Sequence, residues 1–582
     1  MKYLIIDNTA IVNQGEAEGW GVNEVMTLVN FEMDLSLLPL TDEPIIYYIP
    51  TILDANNPLN YDGANLALRI LMYYVRCRRT NVDFVLMGNE SERDFMLTFE
   101  YPNIMKIPGI HYTRFNKSIV RNYECPQREM LSSEDYLPYF EKLNLKLPSS
   151  FKSTHSLTNE WCLYKWNSFM GFGVNTELLK GLYFDYLITI EGFNRVTNEI
   201  DSKDLKQSIK NMPTGLRLLV IDDNSGWHDF FEKMFSCCTI DDVHCLGTDF
   251  KKMKYEDVEA QIRQEVKSFQ PNVIILDFRL MEDKDADIDN TDDISGARIL
   301  KDVLKVTHDF PSPHYGRQVL MFTATSRIEN ILTLKGIGAD DFILKEKPVE
   351  YFGKNNTKEL VSRMIESIGN ATIRAEYLMP LNFHIEMINQ IILESVEKIS
   401  DDLKNVVKVT FKSIRNITQN NILTKDILKL IYLNLFNIFE EIKRDKNFVD
   451  FSNDYTLKII AHNELKVCEN GKSGIYCKSI DDLNFVRSYN LASYKKYCEK
   501  GGMLTFAISS LILFRLGYEQ VDDTQWNNIR LIRNALAHGN EDALKKKGLS
   551  TDDEELKKYS IQMLQLIQDI LDPKKIKEIK PY

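Results

Sequence analysis

The chain has 582 residues and a formal net charge of −13, with 44% hydrophobic and 27% charged residues. Its length predicts about three or four domains of ordinary globular composition, and its acidic balance excludes broad charge-driven nucleic-acid binding while leaving room for a small basic site. Without an apolar run of about 18 residues, and with strand pattern from Lys2 onward, neither a membrane span nor a secretion signal is expected, which points to the cytoplasm.

Residues 1–200 are predicted to form one α/β domain with a helical insertion. Runs rich in β-branched and aromatic residues occupy Lys2–Asn8, Pro44–Pro50 and Phe84–Gly88. Ser132–Leu147 reads as polar and partly helical, Trp161–Met170 carries aromatics at mixed spacing, and Phe184–Ile190 reads as a further strand. Thr197–Gly215, polar and closed by Pro213 and Gly215, is the expected linker. Nine cysteines are scattered without a framework, as suits a reducing compartment. The tightest group, Cys237, Cys238, His244 and Cys245, lacks zinc-site spacing and reads as core packing.

Four short apolar runs follow, each ending in polar residues: Leu218–Asn224, Val273–Asp277, Val319–Ala324 and Asp340–Lys345. Helical pattern lies between them, so they read as βα units of a parallel sheet, whose ligands sit at the carboxyl ends of the strands. Those ends place Asp222, Asp223, Asp277, Thr323 and Lys345 in one crevice. Three carboxylates together repel one another, and a hard divalent cation with a lysine is the simplest relief.

This order of strand-end residues resembles the receiver domain of bacterial response regulators. The resemblance implies a flavodoxin-like fold with a five-stranded parallel sheet over residues 215–370. It makes Asp277 the phosphoacceptor, places Mg²⁺ on Asp222, Asp223, Asp277 and the Arg279 carbonyl, and assigns Thr323 and Lys345 to the phosphoryl oxygens. Phe342 would be the aromatic that turns inward on activation. The implied partner is a histidine kinase or a small phosphodonor. Two departures stand out: Glu346 where the family usually has proline, and the long acidic insert Met281–Ile294. Residues 1–115 resemble a receiver stripped of its chemistry, with a generic α/β domain as the second reading. Pro44–Pro50 matches Pro271–Asp277, which sets Pro50 at the phosphoacceptor position; Asp62-Gly63 echoes Ser295-Gly296, and Gly88 takes the place of Thr323.

From about Thr357 the pattern turns helical. Thr357–Gly369 is the expected last receiver helix, residues 371–423 a helical connector, and 424–582 an all-α effector domain. Helical spacing marks Phe383–Ser400, Leu403–Ile417, Thr424–Arg444, Ser493–Leu516, Asp523–His538 and Asp552–Leu571, with a polar interruption at Val449–Lys478 and a hairpin signal at Asn470-Gly471. No helix-turn-helix with a basic recognition helix is visible.

Within Trp526–Gly539, helical winding places Arg533, Asn534 and His538 on one polar arc, with Ile532, Ala535 and Leu536 opposite and Gly539 as the C-cap. An arginine for phosphorane-like charge and a histidine for proton transfer suit metal-free RNA cleavage. This Arg-Asn-x3-His pattern resembles HEPN (higher eukaryotes and prokaryotes nucleotide-binding) ribonucleases. That resemblance makes Arg533, Asn534 and His538 the active triplet, RNA the substrate and a homodimer the working form, often in stress or phage defence. The Lys545–Lys547 run beyond could meet RNA phosphates. The alternative expectation is a non-enzymatic response regulator whose helical domain binds a protein partner.

Overall fold

The structure is a computed structural model. It describes the chain except residues 8–18, 29–32, 55–56, 58–59, 127, 149–153, 174–180, 195–202, 237–241, 286–287, 289, 306–315, 325–326, 349–356, 396–398, 421–422, 452–456, 460–464, 470–471, 478–503, 505–507, 509–522, 540–541 and 573–582. The expected cysteine pair Cys237 and Cys238, most of the expected helix at 493–516 and the Asn470-Gly471 turn lie outside the described residues. The chain divides into two compact units, one of Met1–Lys206 with Leu344–Ser362, the other of Gln207–Ile343 with Arg363–Tyr582.

The first unit is built on strands β1 (Lys2–Asp7), β2 (Glu24–Leu28), β3 (Ile45–Pro50), β4 (Val82–Gly88) and β5 (Ile110–Arg114). They form a parallel sheet in the order β2-β1-β3-β4-β5. Alternate residues serve opposite faces. Tyr3, Ile5, Tyr47 and Phe84 enter the larger core, while Leu4, Ile6, Tyr48 and Val85 enter the smaller. Burial on both faces explains the near-continuous apolar runs of such strands. Helix α1 (Asp62–Arg76) connects β3 to β4, and α2 (Thr154–Met170) and α3 (Leu182–Asn194) follow the sheet.

Helix α3 corrects the expected strand at Phe184–Ile190. Tyr183, Phe184, Tyr186, Leu187 and Thr189 are all buried, so no face of the segment is polar enough to print a helical period. Its one acidic residue within that run, Asp185, pairs with Arg69 at 2.7 Å and Arg76 at 3.4 Å, both on α1. The expected linker is also partly ordered, since Lys203–Lys210 is helical.

The second unit repeats the topology with β6 (Arg217–Ile221), β7 (Asp242–Leu246), β8 (Val273–Asp277), β9 (Gln318–Thr323) and β10 (Asp341–Leu344), ordered β10-β9-β8-β6-β7. Read in chain order, both sheets are 2-1-3-4-5, the flavodoxin-like arrangement. Helices α4 (Ser225–Phe235), α5 (Tyr255–Phe269) and α6 (Ile328–Ile337) flank the second sheet. The Asn224 side chain caps α4 by accepting from Gly226 N at 2.8 Å, which turns the chain sharply after the two aspartates.

The two sheets correspond in hydrogen bonding as well as order. Pro50 faces Met87 in register as Asp277 faces Phe322, so Gly88 stands where Thr323 stands. The next backbone N–H bonds repeat, Thr51 to Met87 O at 2.9 Å and Phe278 to Phe322 O at 3.2 Å. Gly63 N then donates to Thr51 O, and Gly296 N to Phe278 O. Finally, Asp62 Oδ1 accepts from Leu53 N at 2.7 Å, and Ser295 Oγ from Leu280 N at 2.9 Å. Both glycines are required by close approach, because a Cβ on Gly63 would lie 1.8 Å from Pro50 O and one on Gly296 2.3 Å from Asp277 O.

Beyond the second sheet the chain is mainly helical, with α7 (Thr357–Glu394), α8 (Asp401–Asn420), α9 (Lys425–Arg444), α10 (Asp523–His538) and α11 (Asp553–Leu571). The expected helices at Thr357–Gly369 and Phe383–Ser400 prove to be one, ending at Glu394 with Gly369 and Pro380 inside it. Thr424 and Asp552 open their expected segments as N-caps, accepting from Ile427 N and Glu555 N. These helices share one core, in which Leu381, Val407, Leu435, Ile532 and Met563 meet. The polar interruption holds two short antiparallel pairs, Val449–Phe451 with Leu457–Ile459 and Leu465–Glu469 with Lys472–Cys477. Among the described residues, no helix is long and apolar enough to cross a membrane.

Candidate functional site

At the carboxyl end of the second sheet, Asp222, Asp223 and Asp277 bring one oxygen each within 4.8 Å of one another. The register explains this. Ile221 faces Leu276, so the residues just beyond the β6 pairing lie beside Asp277. Asp222 and Asp277 are buried. Asp222 Oδ1 accepts from Asn224 N at 2.9 Å, and Asp277 Oδ2 from Arg279 N at 3.1 Å.

The Asp223 carboxyl is pushed up to about 8 by burial, then by the Asp277 and Asp222 charges, against an opposing pull from Lys251. Ionising Asp223 in this setting calls for added positive charge. An all-oxygen donor set of this kind fits Mg²⁺, which keeps waters and takes one or two carboxylates. Lys251 Nζ lies 3.2 Å from Asp223 Oδ2. Nothing in the sequence pattern singles out this lysine, which sits in a polar run between strand and helix.

Thr323 ends β9 fully buried, one residue past the partner of Asp277. The Arg279 side chain turns to the acidic insert, where Nη1 donates to Asp285 O at 2.7 Å. Asp285 anchors that insert, accepting from Ser295 N at 3.0 Å and from Ser295 Oγ at 2.5 Å. Phe342 is half-buried against the core of the second sheet.

Lys345 and Glu346 fall in the segment Leu344–Ser362, which belongs to the first unit. Lys345 Nζ donates to Asn159 Oδ1 at 2.6 Å. Glu346 is buried, accepts from Trp166 Nε1 at 3.1 Å and Thr357 Oγ1 at 3.0 Å, and is raised to about 7 by burial. Its backbone N–H donates to Cys162 Sγ at 3.0 Å, a bond that proline could not make.

The corresponding end of the first sheet carries different residues. Besides Pro50, a Cβ at Gly88 would lie 1.9 Å from Tyr112 Oη, so the tyrosine fills the place of a threonine side chain. Tyr112 Oη is fixed there by donating to Glu90 O at 3.1 Å.

The other candidate residues share α10. Ile532 and Ala535 are buried, Arg533 and Asn534 half-buried, and His538 exposed at the helix end. Gly539 has a φ of 70°, and its N–H donates to Ala535 O at 2.8 Å, as the expected C-cap. Arg533 Nη1 donates to Asn534 Oδ1 at 3.3 Å, and its guanidinium lies 5.3 Å from the Phe436 ring centre. Tyr432 Oη on α9 donates to Ile529 O at 2.8 Å, which helps to fix α10. The expected core packing of the cysteine-rich stretch is not met at His244, which is exposed, pairs with Glu265 at 2.8 Å and stacks on Phe269, while Cys245 is half-buried. In comparison with known proteins, the chain matches no family model and no curated sequence.

Proposed function

We propose that the chain is a receiver-regulated endoribonuclease of the HEPN type, working as a cytoplasmic homodimer in stress or phage defence. The convergence of Asp222, Asp223 and Asp277 within 4.8 Å at a strand end, beside buried Thr323, carries the regulatory half of this reading. Asp277 takes a phosphoryl group from a histidine kinase or a small phosphodonor. Its carboxylate oxygen bonds to phosphorus as the donor's bond breaks, and the Arg279 N–H holds the other oxygen. Bound Mg²⁺, held by Asp222, Asp223, Asp277 and the Arg279 carbonyl, would supply positive charge to the phosphoryl oxygens. Thr323 and Lys345 are the phosphoryl-binding side chains.

The Arg533, Asn534 and His538 arc supports the nuclease half. The RNA 2′-oxygen attacks the adjacent phosphorus and the bond to the 5′-oxygen breaks, leaving a cyclic phosphate and a 5′-hydroxyl. One base must take the 2′-proton and one acid must deliver a proton to the leaving oxygen. Each chain brings one His538, so two chains provide both roles, while Arg533 offsets charge at phosphorus. The test is RNA cleavage by purified wild type and His538→Ala, with and without acetyl phosphate and Mg²⁺. Excess His538→Ala chains are expected to suppress wild-type activity through hybrid dimers; activity that merely follows the amount of wild-type chain, with exchange confirmed, overturns the shared site.

One observation favours a second reading. Arg533 already stacks on Phe436 and bonds Asn534, contacts that serve a folded helix equally well. On that reading the helical region is a protein-interaction module, and wild type and His538→Ala are equally inert toward RNA.

A further inference from the structure

The 3₁₀ turn Phe250–Lys252 follows β7 and points Lys251 at the carboxylate group. Asp223's side chain there is 7% exposed and that of Lys251 44%. The turn is firmly seated. Phe250 is buried in the core under the sheet, and its N–H donates to Gly247 O at 2.9 Å. Gly247 has a φ of 133°, and a Cβ there would lie 2.4 Å from the Asp222 carbonyl oxygen. The exit of β7 therefore presses directly on the residue that follows β6. On the far side, Lys284 of the acidic insert donates from Nζ to Met253 O at 2.7 Å. The backbone of the turn is thus fixed on both sides, and from it Lys251 Nζ lies 3.2 Å from Asp223 Oδ2.

The Lys251 ammonium and a divalent ion on Asp222, Asp223 and Asp277 draw on the same Asp223 oxygens. Two cations only a few ångströms apart repel strongly when water is partly excluded. We infer that Lys251 is the resident counter-cation of this pocket, holding Asp223 when no divalent ion is bound and leaving it when one arrives. This rests on the receiver reading of the pocket and concerns how its metal loading is set. Lys251 thereby raises the Mg²⁺ concentration at which Asp277 becomes ready to accept phosphoryl.

The test is calorimetric titration of the full chain with Mg²⁺ alone, for wild type, Lys251→Met and Lys251→Arg. Removing the competing charge is expected to tighten Mg²⁺ binding about three- to tenfold in Lys251→Met, with Lys251→Arg close to wild type. Urea unfolding in a chelator is expected at a lower midpoint for Lys251→Met than for wild type, the gap closing at saturating Mg²⁺. Binding by Lys251→Met but not by wild type would support the inference in its strongest form. Equal or weaker binding by Lys251→Met, beside a wild type that binds, overturns it and leaves the receiver reading intact. If none of the three chains binds Mg²⁺, both the inference and the metal assignment fail.

Discussion

Replacing Gly316 with alanine tests whether the second sheet and the helical region are mechanically joined. Gly316 precedes β9, the strand that ends at Thr323, and has a φ of 78°. An added Cβ would lie 2.2 Å from the Leu378 carbonyl carbon and 2.3 Å from both Leu378 O and Met379 N, all backbone of α7. No rotamer relieves that overlap. The left-handed backbone costs about 1–2 kcal/mol for a residue with a Cβ. Forcing α7 away adds about 1–3 kcal/mol of overpacking. The expected loss is therefore about 2–5 kcal/mol, measured by urea unfolding of the full chain. Gly336→Ala is the control, since a Cβ there meets nothing within 4 Å. A Gly316→Ala loss below about 1 kcal/mol, on the same two estimates, would refute the close contact and the coupling of β9 to α7 that follows from it.

Asp223 should make stability depend on pH. Its folded carboxyl, near 8, lies above the ordinary 3.8, so the folded chain keeps a proton that the unfolded chain releases. Its contribution should fall as pH rises from about 4 to about 8 and then level off. The span sets a ceiling of ~6 kcal/mol, and adjustment of Lys251 with water entry brings the expected change to ~2–3 kcal/mol. The measurement is the wild-type minus Asp223→Asn unfolding free energy in chelator at several pH values; a difference flat across pH contradicts it, and Mg²⁺ should abolish it. Gly63→Ala and Gly296→Ala should each cost about 1–3 kcal/mol, and the second should also slow acetyl-phosphate labelling at Asp277, read by phosphate-affinity electrophoresis. Glu346→Pro should lose about 2–3 kcal/mol by removing the N–H to Cys162 and the acceptor of Trp166 and Thr357. Glu346→Gln should lose far less, as thermal melting would show.

Some of this molecule was legible because the relevant physics is local. An apolar run such as Val273–Asp277 is a strand buried on both faces, and a polar residue at its end is where a parallel sheet opens to ligand. The match of Pro50 to Asp277 and Gly88 to Thr323 needed only aligned strand ends, and the register repeats it. The α10 face was legible for a similar reason, since Ile532 and Ala535 pack inward and Gly539 caps the end.

What the sequence determined by itself, then, were strand ends, helix faces and caps, all set by residues within a turn or a pleat of one another. Tertiary structure decided the rest. The helix at Phe184–Ile190 could not be told from a strand, because five of its seven residues are buried and the periodicity separating the two is erased. Gly369 and Pro380 look like helix ends, yet packing carries α7 through both to Glu394. Lys251 reaches Asp223 across 28 residues of chain, and Glu346 finds Cys162 and Trp166 across some 180. Such pairings leave no mark in local spacing, because the fold that brings the partners together is itself a sum over distant contacts.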